Sequence, residues 1–342
     1  MTTPIIDIAG FPVGGPETYI IAEVGSNHNQ SLELAYEHID VAAEAGAHAC
    51  KFQSILIDKL YYAPTQATRD LHASIDMEEE WHQLLKAHCE KRGVTFFSSP
   101  TYMEAIDLLE SLDVALYKLA SAQIGTFPQI VQKVAEQKRP TIMSTGIVSY
   151  NELERMVNIF RRAGNDQFII LHCNSIYPTP PNRVNLGIMD TYRQMFGNPV
   201  GFSDHTTGIG VPIAAVARGA KVIEKHFALS RELPVPDAPF SLEPDELVAM
   251  VAGIKQAEQA VADAPRTELQ PEENRFKQGI LSRLVLNKAK AAGEAFSEAD
   301  FKYLRHPSGI DARDMEWMLS RGGKAAHTIE AGMLLNWEDV SY

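Results

Sequence analysis

The chain has 342 residues, of which 45% are hydrophobic and 22% charged, and its formal net charge is −13. This composition is typical of a globular protein, and the acidic balance argues against nucleic acid or an anionic membrane as a partner. No apolar run reaches the roughly 20 residues of a membrane span, and no signal peptide is evident. The cysteines, Cys50, Cys89 and Cys173, show no zinc or redox spacing, so we expect reduced thiols in a cytoplasmic protein.

Strand-like runs alternate with amphipathic segments of helical length. The expected strands are Tyr19–Glu23, Ala49–Gln53, Val94–Ser98, Leu116–Ala120, Thr141–Ser144, Phe168–His172, Val200–Ser203 and Val222–His226. The expected helices after them are Leu32–Ala45, Met77–Lys91, Tyr102–Leu112, Phe127–Gln137, Asn151–Ala163, Leu186–Phe196, Thr207–Gly219 and Pro244–Ala262. Eight such units fit the roughly 250 residues of an α/β protein with a (β/α)8 TIM barrel.

A doubly wound parallel sheet is the competing architecture. Such a sheet usually has fewer strands, and it often carries a Gly-rich phosphate loop after the first one. The segment Glu23–His28 lacks the GxGxxG spacing of that loop. The pattern therefore favours the barrel.

The chain beyond the barrel divides into a linker and a small domain. We expect the barrel to occupy residues 1–263, and Pro265, Pro271 and many charges predict a linker over 264–278. Residues 279–342 contain short strand and turn signals at Arg283–Asn287, Gly293-Glu294 and Ile329–Leu335. A domain this small buries little core, so we expect it to rest on the barrel or on a second subunit.

All eight predicted strands end in polar groups, and in a barrel these ends face the catalytic mouth. In strand order the groups are Glu23, Asn27 and His28; Lys51 and Gln53; Ser98 and Ser99; Lys118 and Ser121; Ser144 and Thr145; His172, Asn174 and Tyr177; Ser203, Asp204 and His205; and Glu224 and His226. Taken singly, such a lysine is usually a solvated rim residue, such a serine a helix cap, and such a histidine a core group. Convergence from eight strands indicates an active site.

The types of these groups limit the chemistry. Two lysines, several hydroxyls and helix N-termini suit an anion such as phosphate or carboxylate. The histidine pair suits a divalent transition metal that keeps positions open for water and substrate and acts as a Lewis acid. Together they indicate condensation of a carbonyl compound with a phosphorylated partner.

Several motifs resemble those of the sialic acid synthase family, which includes N-acetylneuraminate, pseudaminic and legionaminic acid synthases and related spore coat polysaccharide proteins. The resembling segments are Ile21–Asn29, Lys51–Gln53, Tyr117–Ser121, Ser144–Gly146, His172-Cys173, Ile176–Pro180, Gly201–Thr206 and Glu224–Phe227. The tail is similar to that family's antifreeze-like (SAF) domain at Ala292–Glu294, Arg305–Ile310 and Ile329–Gly332.

The resemblance implies a metal-dependent, aldol-type condensation. Phosphoenolpyruvate adds through its methylene carbon to the aldehyde of an open-chain N-acylated hexosamine such as N-acetylmannosamine. Water attacks the resulting cationic centre, and inorganic phosphate leaves. The product is a nine-carbon 2-keto acid, a nonulosonate, that enters surface or spore coat polysaccharide synthesis.

The resemblance also implies residue roles. The metal, usually Mn²⁺ with Mg²⁺ or Co²⁺ as alternatives, is held by His205 and His226. Phosphoenolpyruvate is held by Lys51, Lys118, Ser121, Ser144 and Ser203, and the catalytic residues are Glu23, Lys51 and Lys118. The sugar contacts are Glu23, Gln123, Ser175, Tyr177, Asp237 and Arg305. Arg305 comes from the tail of a partner subunit, which implies a homodimer with swapped C-terminal domains.

Three positions depart from the family pattern on the expected sugar side. Gln123 stands where N-acetylneuraminate-forming members usually have glutamate, Ser175 where they have asparagine, and Val235 where glycine is common. We therefore expect a sugar other than plain N-acetylmannosamine. The alternatives are a phosphoenolpyruvate-condensing barrel for a sugar phosphate, which needs a second cationic cluster, and a non-catalytic carbohydrate-binding relative.

Overall fold

An antiparallel hairpin precedes eight parallel strands in the first part of the chain. The strands are β1 (Ile6–Ile8), β2 (Phe11–Val13), β3 (Tyr19–Gly25), β4 (Ala49–Ser54), β5 (Thr95–Pro100), β6 (Tyr117–Leu119), β7 (Thr141–Ser144), β8 (Phe168–Cys173), β9 (Val200–Asp204) and β10 (Val222–His226). In this computed structural model, which describes residues 4–261 and 266–342, the parallel sheet has the order β5-β4-β3-β10-β9-β8-β7-β6. The end strands β5 and β6 pack against each other. The predicted (β/α)8 TIM barrel is confirmed, and the doubly wound alternative is wrong.

Helices follow every barrel strand. They are α1 (Leu32–Ala45), α2 (Ile57–Leu60), α3 (Gln66–His72), α4 (Trp81–Arg92), α5 (Met103–Ser111), α6 (Ser121–Thr126), α7 (Pro128–Glu136), α8 (Tyr150–Arg162), α9 (Ile188–Phe196), α10 (Gly210–Ala217) and α11 (Pro244–Ala260). The short helices α2, α3 and α6 were not predicted. Helix α10 begins three residues later than predicted, since Gly208 has a φ of +71°, which no right-handed helix contains.

Capping residues explain several helix boundaries. Ser31 accepts a hydrogen bond from the backbone N–H of Leu34 at the start of α1, and Gly46 ends that helix in the left-handed conformation. Ser149 and Glu152 form a capping box at the start of α8. Pro128 stands at the first position of α7, where no backbone donor is needed.

Side chains alternate between the inside and the outside of the barrel. Outward residues of the strands join one large apolar cluster with the helices. Inward residues near the amino ends form a second, smaller cluster that includes Tyr19, Phe97 and Val222. The hairpin contributes Ile6, Ile8 and Val13 to this inner cluster, so it closes the floor of the barrel. The carboxyl ends of the strands are thereby left as the open end.

The chain divides into two compact units, Met1–Ala262 and Asp263–Tyr342. The predicted boundary between residues 263 and 264 falls outside the described residues. The predicted linker, 264–278, is partly helical, because α12 (Pro271–Ile280) begins at a capping box formed by Gln270 and Glu273. Within the described ranges, no helix is long and apolar enough to cross a membrane.

The tail unit is built from short elements around its own core. These are β11 (Ser282–Leu286), β12 (Phe301–Arg305), α13 (Met315–Ser320), β13 (Lys324–Ala325) and β14 (Val340–Ser341). β11 pairs antiparallel with β12, and β13 with β14. The predicted strand at Ile329–Leu335 forms only single bridges, from Ile329 to Lys290 and from Leu334 to Val285. The core includes Leu284, Phe301, Ile310 and Met318.

Candidate active site

The carboxyl end of the barrel carries a cluster of buried charges. Glu224 on β10 lies between two lysines, with its Oε1 3.3 Å from Lys118 Nζ and its Oε2 3.9 Å from Lys51 Nζ. Ser203 Oγ donates a hydrogen bond to Glu224 Oε1 at 2.9 Å. Lys51 also contacts Glu23, at 2.7 Å between Nζ and Oε1. All these side chains are at most 6% exposed, so the cluster is a built site and not a solvated rim.

Burial and mutual pairing displace the pKa values in this cluster. Burial raises the pKa of Glu23 to about 7, although the Lys51 ammonium opposes this rise. Burial also opposes ionisation of Glu224, but Lys118 and Lys51 outweigh it and hold its pKa well below the usual range. Burial lowers the pKa of Lys118. The cluster therefore contains one permanently ionised carboxylate and one that takes up a proton near neutral pH.

Glu23 belongs to a second group of polar side chains at the same end. Gln53 Nε2 donates to Glu23 Oε1 at 2.9 Å, and Ser26 Oγ donates to Asp237 Oδ2 at 3.1 Å. Gly25 lies among these groups, since a Cβ built on it would lie 3.0 Å from Asp237 Oδ2 and 3.2 Å from Glu23 Oε1. Burial raises the pKa of Asp237. These residues form an acidic and amide-lined wall next to the lysines.

His205 and His226 lie beside that wall, with ring centroids 5.3 Å apart. His205 Nδ1 is 2.8 Å from the Asn174 carbonyl oxygen, which leaves Nε2 available. Burial lowers the pKa of His205 to about 4 and that of His226 to about 3. Both rings are therefore neutral at neutral pH, which is the form that binds metals.

The histidine pair has the features of a metal site. His226 Nδ1 is buried, has no hydrogen-bond partner among the described residues, and lies 3.8 Å from Asp237 Oδ2. In residues 4–261 and 266–342, no group of three or more His, Cys, Asp or Glu side chains is arranged to hold a metal. Two neutral imidazoles with one unpartnered nitrogen fit a divalent metal whose other positions go to water or substrate.

Hydroxyl, thiol and amide groups complete the site on the side of β6 to β8. Ser121 Oγ accepts a hydrogen bond from Gly146 N at 2.8 Å and donates to Cys173 Sγ at 3.6 Å. Ser144 Oγ and Gln123 Oε1 are buried without a partner in the described part of the chain. Buried polar atoms normally have partners, so these two indicate room for a polar ligand.

Tyr177 borders the histidines from the loop after β8. Its ring centroid lies 4.2 Å from that of His205 and 6.5 Å from that of His226. Ser175 on the same loop is partly exposed, and its Oγ would lie 2.2 Å from a Cβ built on Gly146. The structure thus brings the predicted barrel residues of all three groups, for anion, metal and sugar, to one mouth.

Other predicted strand-end groups lie elsewhere. His172 and Asp204 alternate with the inward residues and face the helix layer, where His172 Nε2 contacts the Val184 carbonyl oxygen at 2.5 Å. Asn27 holds the end of β10 by donating from Nδ2 to the Phe227 carbonyl oxygen at 2.8 Å.

Val235 is predicted to lie on the sugar side. In the structure it is 5% exposed and packs with Ala228 and Ala238. Its side chain belongs to an apolar cluster two residues before Asp237 in the chain, and its place on the sugar side stays a prediction.

Arg305 is exposed at the end of β12 in the tail unit. Its predicted contact with a partner's active site stays a prediction.

Two residues of the site were missed as functional groups by the sequence reasoning. Glu224 and Gln53 were noted only as strand-end groups, although Glu224 is the centre of the charge cluster. Its position two residues before His226 on one strand was the signal, since residues i and i+2 share a face.

Comparisons with known proteins give a consistent result. A model of the NeuB family matches residues 38–265. The pseudaminic acid synthase of Campylobacter jejuni is 35% identical over 337 residues, covering 94% of this chain and 96% of that protein. The N,N'-diacetyllegionaminic acid synthase of Campylobacter jejuni is 36% identical over 320 residues, covering 89% and 95%. The structure of N-acetylneuraminic acid (sialic acid) synthetase from Leptospira borgpetersenii in complex with citrate has a TM-score of 0.74 at 31% identity, covering 81% of this chain and 96% of that one.

Proposed function

The chain belongs to the NeuB family, and from this premise we propose that it condenses phosphoenolpyruvate with an N-acylated hexosamine, giving a nonulosonate and inorganic phosphate. The observation that carries the proposal is the buried Lys51–Glu224–Lys118 cluster beside the neutral histidine pair. Synthases of pseudaminic and legionaminic acid among the relatives support an amino sugar as the acceptor.

The anion is proposed to bind at the two lysines. Lys51 and Lys118 supply positive charge, and Ser121, Ser144 and Ser203 supply hydroxyl donors. The unpartnered Ser144 Oγ supports this assignment, since a bound phosphate or carboxylate oxygen would give it a partner. Glu224 and Glu23 balance the charge of the two lysines, so an anionic substrate has to compete with these carboxylates.

The proposed reaction forms one carbon–carbon bond and replaces the carbon–oxygen bond to phosphate by one to the oxygen of water. The methylene carbon of phosphoenolpyruvate joins the aldehyde carbon, and the aldehyde oxygen takes up a proton. Water adds to the carbon that carries the phosphate, and phosphate leaves with its bridging oxygen as the added hydroxyl loses its proton and becomes the 2-keto group. We assign Glu23 to accept the proton of that water, because its pKa of about 7 suits proton transfer near neutral pH.

His205 and His226 are proposed to hold a divalent metal, with Mn²⁺ as the first choice and Mg²⁺ or Co²⁺ as alternatives. When bound, such a metal supplies Lewis-acid polarisation of the acceptor's carbonyl group. The residues of this chain would orient the acceptor around it: Tyr177 covers the histidine rings, while Asp237 and Gln53 offer hydrogen-bond partners to hydroxyl groups.

We further propose that the acceptor is not plain N-acetylmannosamine. Gln123 offers a neutral amide where a carboxylate is usual, and its buried Oε1 has no partner in the described residues. Ser175 is shorter than asparagine, and its Oγ lies close to Gly146, 2.2 Å from the position of a Cβ built on that glycine. An acceptor with a donor group near Gln123, such as a second acylamino group, would satisfy that oxygen.

The tail is proposed to be an antifreeze-like (SAF) domain that offers Arg305 to the active site of a partner subunit in a swapped homodimer. The exposure of Arg305 on β12 leaves its guanidinium available for such a role. The buried, free cysteines Cys50, Cys89 and Cys173 support a cytoplasmic location.

A reaction with a sugar phosphate is less well supported. A second phosphate needs its own cationic cluster. On the described barrel strands, Lys51 and Lys118 are the only inward lysine or arginine residues, since Lys225 faces outward. A non-catalytic carbohydrate-binding role does not explain why two lysines and two carboxylates are buried together.

The proposal is tested by measuring phosphate release from phosphoenolpyruvate with Mn²⁺ across a panel of mono- and di-acylated hexosamines. We expect release with at least one sugar, and faster release with a di-acylated one than with N-acetylmannosamine. A Lys118→Met variant serves as a folded control without release. No release with any sugar from folded, metal-loaded protein would overturn the proposed reaction.

A further inference from the structure

A buried ion pair joins β9 and β10 on the outer side of the barrel. Lys225 Nζ lies 2.8 Å from Asp204 Oδ2, and both side chains are completely buried. The two residues are direct partners in the parallel ladder. Their neighbours on the outer faces, Phe202 and Ile223, are apolar and belong to the main core cluster. The pair is therefore a charged insertion beside apolar neighbours on both strands.

The pair is directly connected to the two histidines through the backbone. Asp204 precedes His205, and Lys225 precedes His226. Asp204 Oδ1 accepts a hydrogen bond from Thr206 N at 2.8 Å, and Lys225 Nζ donates to the Thr206 carbonyl oxygen. His205 therefore lies between Asp204, which is a member of the pair, and Thr206, which is hydrogen-bonded to both members.

The barrel sheet holds His226 directly but not His205. Strand β9 ends at Asp204, so His205 lies one residue beyond it, while His226 is the last residue of β10 and pairs with Glu23. The His205 carbonyl oxygen accepts from Thr179 N at 2.8 Å, and its ring contacts Asn174 and Tyr177. These contacts come from one loop, whereas the ion pair ties His205 to the strand that carries His226.

Stability alone does not explain a buried pair at this place. Taking two charges out of water costs several kcal/mol per ion, and apolar replacements of similar volume are often neutral or stabilising. Metal–nitrogen bonds, in contrast, tolerate only about 0.2 Å of error. With two protein ligands in the described site, no third side chain compensates for a displaced ring.

We propose that the Asp204–Lys225 ion pair is a positioning device that holds His205 and His226 at the spacing that a divalent metal requires. The inference rests on the proposed function, because it takes the histidines as metal ligands. Asp204 and Lys225 face away from the mouth and touch neither metal nor substrate, so they are positioning residues.

The test is the double variant Asp204→Asn/Lys225→Met, which removes both charges, keeps the volumes and leaves an acceptor for Thr206 N. We expect Mn²⁺ binding to the purified protein, measured by titration calorimetry, to weaken about 10- to 100-fold. Phosphoenolpyruvate affinity without metal and the melting temperature should stay near those of the unmodified protein. Unchanged Mn²⁺ affinity in the folded double variant would overturn the proposal.

A matched control removes another ion pair of the barrel. Glu110 and Arg139, 2.9 Å apart and half-buried, lie at the amino end of the strands, away from the mouth. Glu110→Gln/Arg139→Met should leave Mn²⁺ affinity unchanged, and an equal loss there would overturn the positioning role. If the double variant at Asp204 and Lys225 does not fold, Asp204→Glu keeps the charge but moves the carboxylate, and wild-type Mn²⁺ affinity in it contradicts the proposal.

Failure of the inference can be distinguished from failure of the proposed function. If His205→Ala loses Mn²⁺ but the double variant does not, only the positioning role is overturned. If the unmodified protein binds no Mn²⁺, Mg²⁺ or Co²⁺, the inference and the metal assignment both fall. Phosphate release, measured separately, then decides whether the condensation proceeds without a metal.

Discussion

Glu23 is the buried carboxyl of the charge cluster whose pKa lies near neutral pH. Burial holds the pKa of its carboxyl at about 7 against the opposing charge of Lys51, so the proton is bound below that pH and lost above it. If Glu23 accepts the proton of the attacking water, activity should fall as the pH drops below about 7. Glu23→Gln should lose about 10²- to 10⁴-fold in kcat and lack that acidic limb.

The measurement is kcat/KM for phosphoenolpyruvate against pH in both proteins. The control is Glu79→Gln, because the Glu79 carboxylate accepts a hydrogen bond from Tyr102 and lies outside the charge cluster; this variant should keep the limb. An acidic limb that persists unchanged in the residual activity of Glu23→Gln would assign the titration to another group.

Gly25 is a second residue whose identity the site requires. A Cβ there would lie 3.0 Å from Asp237 Oδ2, 3.2 Å from Glu23 Oε1 and 3.4 Å from Gln53 Nε2, and its φ is +55°. Gly25→Ala should therefore raise KM for the acceptor sugar more than KM for phosphoenolpyruvate. Gly93 is a matched control, since its φ is +73° but nothing lies within 4 Å of its Cβ position. Gly93→Ala should cost about 1 kcal/mol of stability without changing either KM; equal kinetic effects in both variants would contradict the crowding argument.

Single residues also show which features of the site could not be predicted from the sequence. The strand-end list contained the site but did not separate inward from outward groups. Counting back by twos from His205 and His226 would have placed Ser203 and Glu224 inside and Asp204 and Lys225 outside. Val235 could not be placed this way, because it lies in a loop whose path depends on tertiary packing.

At the scale of elements, the hairpin β1–β2 shows why short strands escape prediction. Its strands have three residues each, too few for a periodic pattern. Their apolar side chains are buried only because they pack against the inner cluster of the barrel, which is distant in sequence. The long strands and helices were predicted to within four residues at each end, and α1 and α8 show why, since each combines an amphipathic periodicity with a capping serine.

Because the hairpin packs at the floor of the barrel, substitutions in it test the stability of the fold separately from catalysis. Ile8 is completely buried in the inner cluster, whereas Ile5, beside the same hairpin, is 61% exposed. Ile8→Ala should lower the free energy of unfolding by about 2–5 kcal/mol, and Ile5→Ala by less than about 0.5 kcal/mol. Denaturant unfolding measures both, and kcat should stay unchanged because the site lies at the opposite end of the strands. A loss of kcat in folded Ile8→Ala protein would show that the floor and the mouth are coupled.

At the scale of the whole molecule, the two units differ in the burial of their histidine side chains. The barrel buries His28 and His38, and burial lowers the pKa of each to about 4. His38 donates from Nδ1 to the Leu34 carbonyl oxygen at 2.7 Å and accepts at Nε2 from Leu229 N at 3.2 Å, which requires the neutral ring. In the tail, His306 and His327 are exposed.

This difference predicts that acid unfolds the barrel first. Because the folded pKa of His38 is below that of the unfolded chain, the unfolded state binds the extra proton between pH of about 6.5 and 4, and stability falls as the pH is lowered through that window. The loss at full shift is on the order of 3 kcal/mol for each such histidine. Trp81 reports on the barrel in a Trp317→Phe/Trp337→Phe variant, and the two tail tryptophans report on the tail in Trp81→Phe.

The expected result is a Trp81 fluorescence transition at a higher pH than that of the tail tryptophans. Adding His38→Gln to the barrel reporter should move its transition to lower pH, because one proton fewer is taken up on unfolding, while the tail transition should stay in place. An unmoved Trp81 transition in folded His38→Gln protein would mean that His38 does not contribute to acid unfolding. Coincident transitions in all reporters would mean that the two units unfold as one, with the buried histidines of the barrel then setting the acid stability of the entire chain.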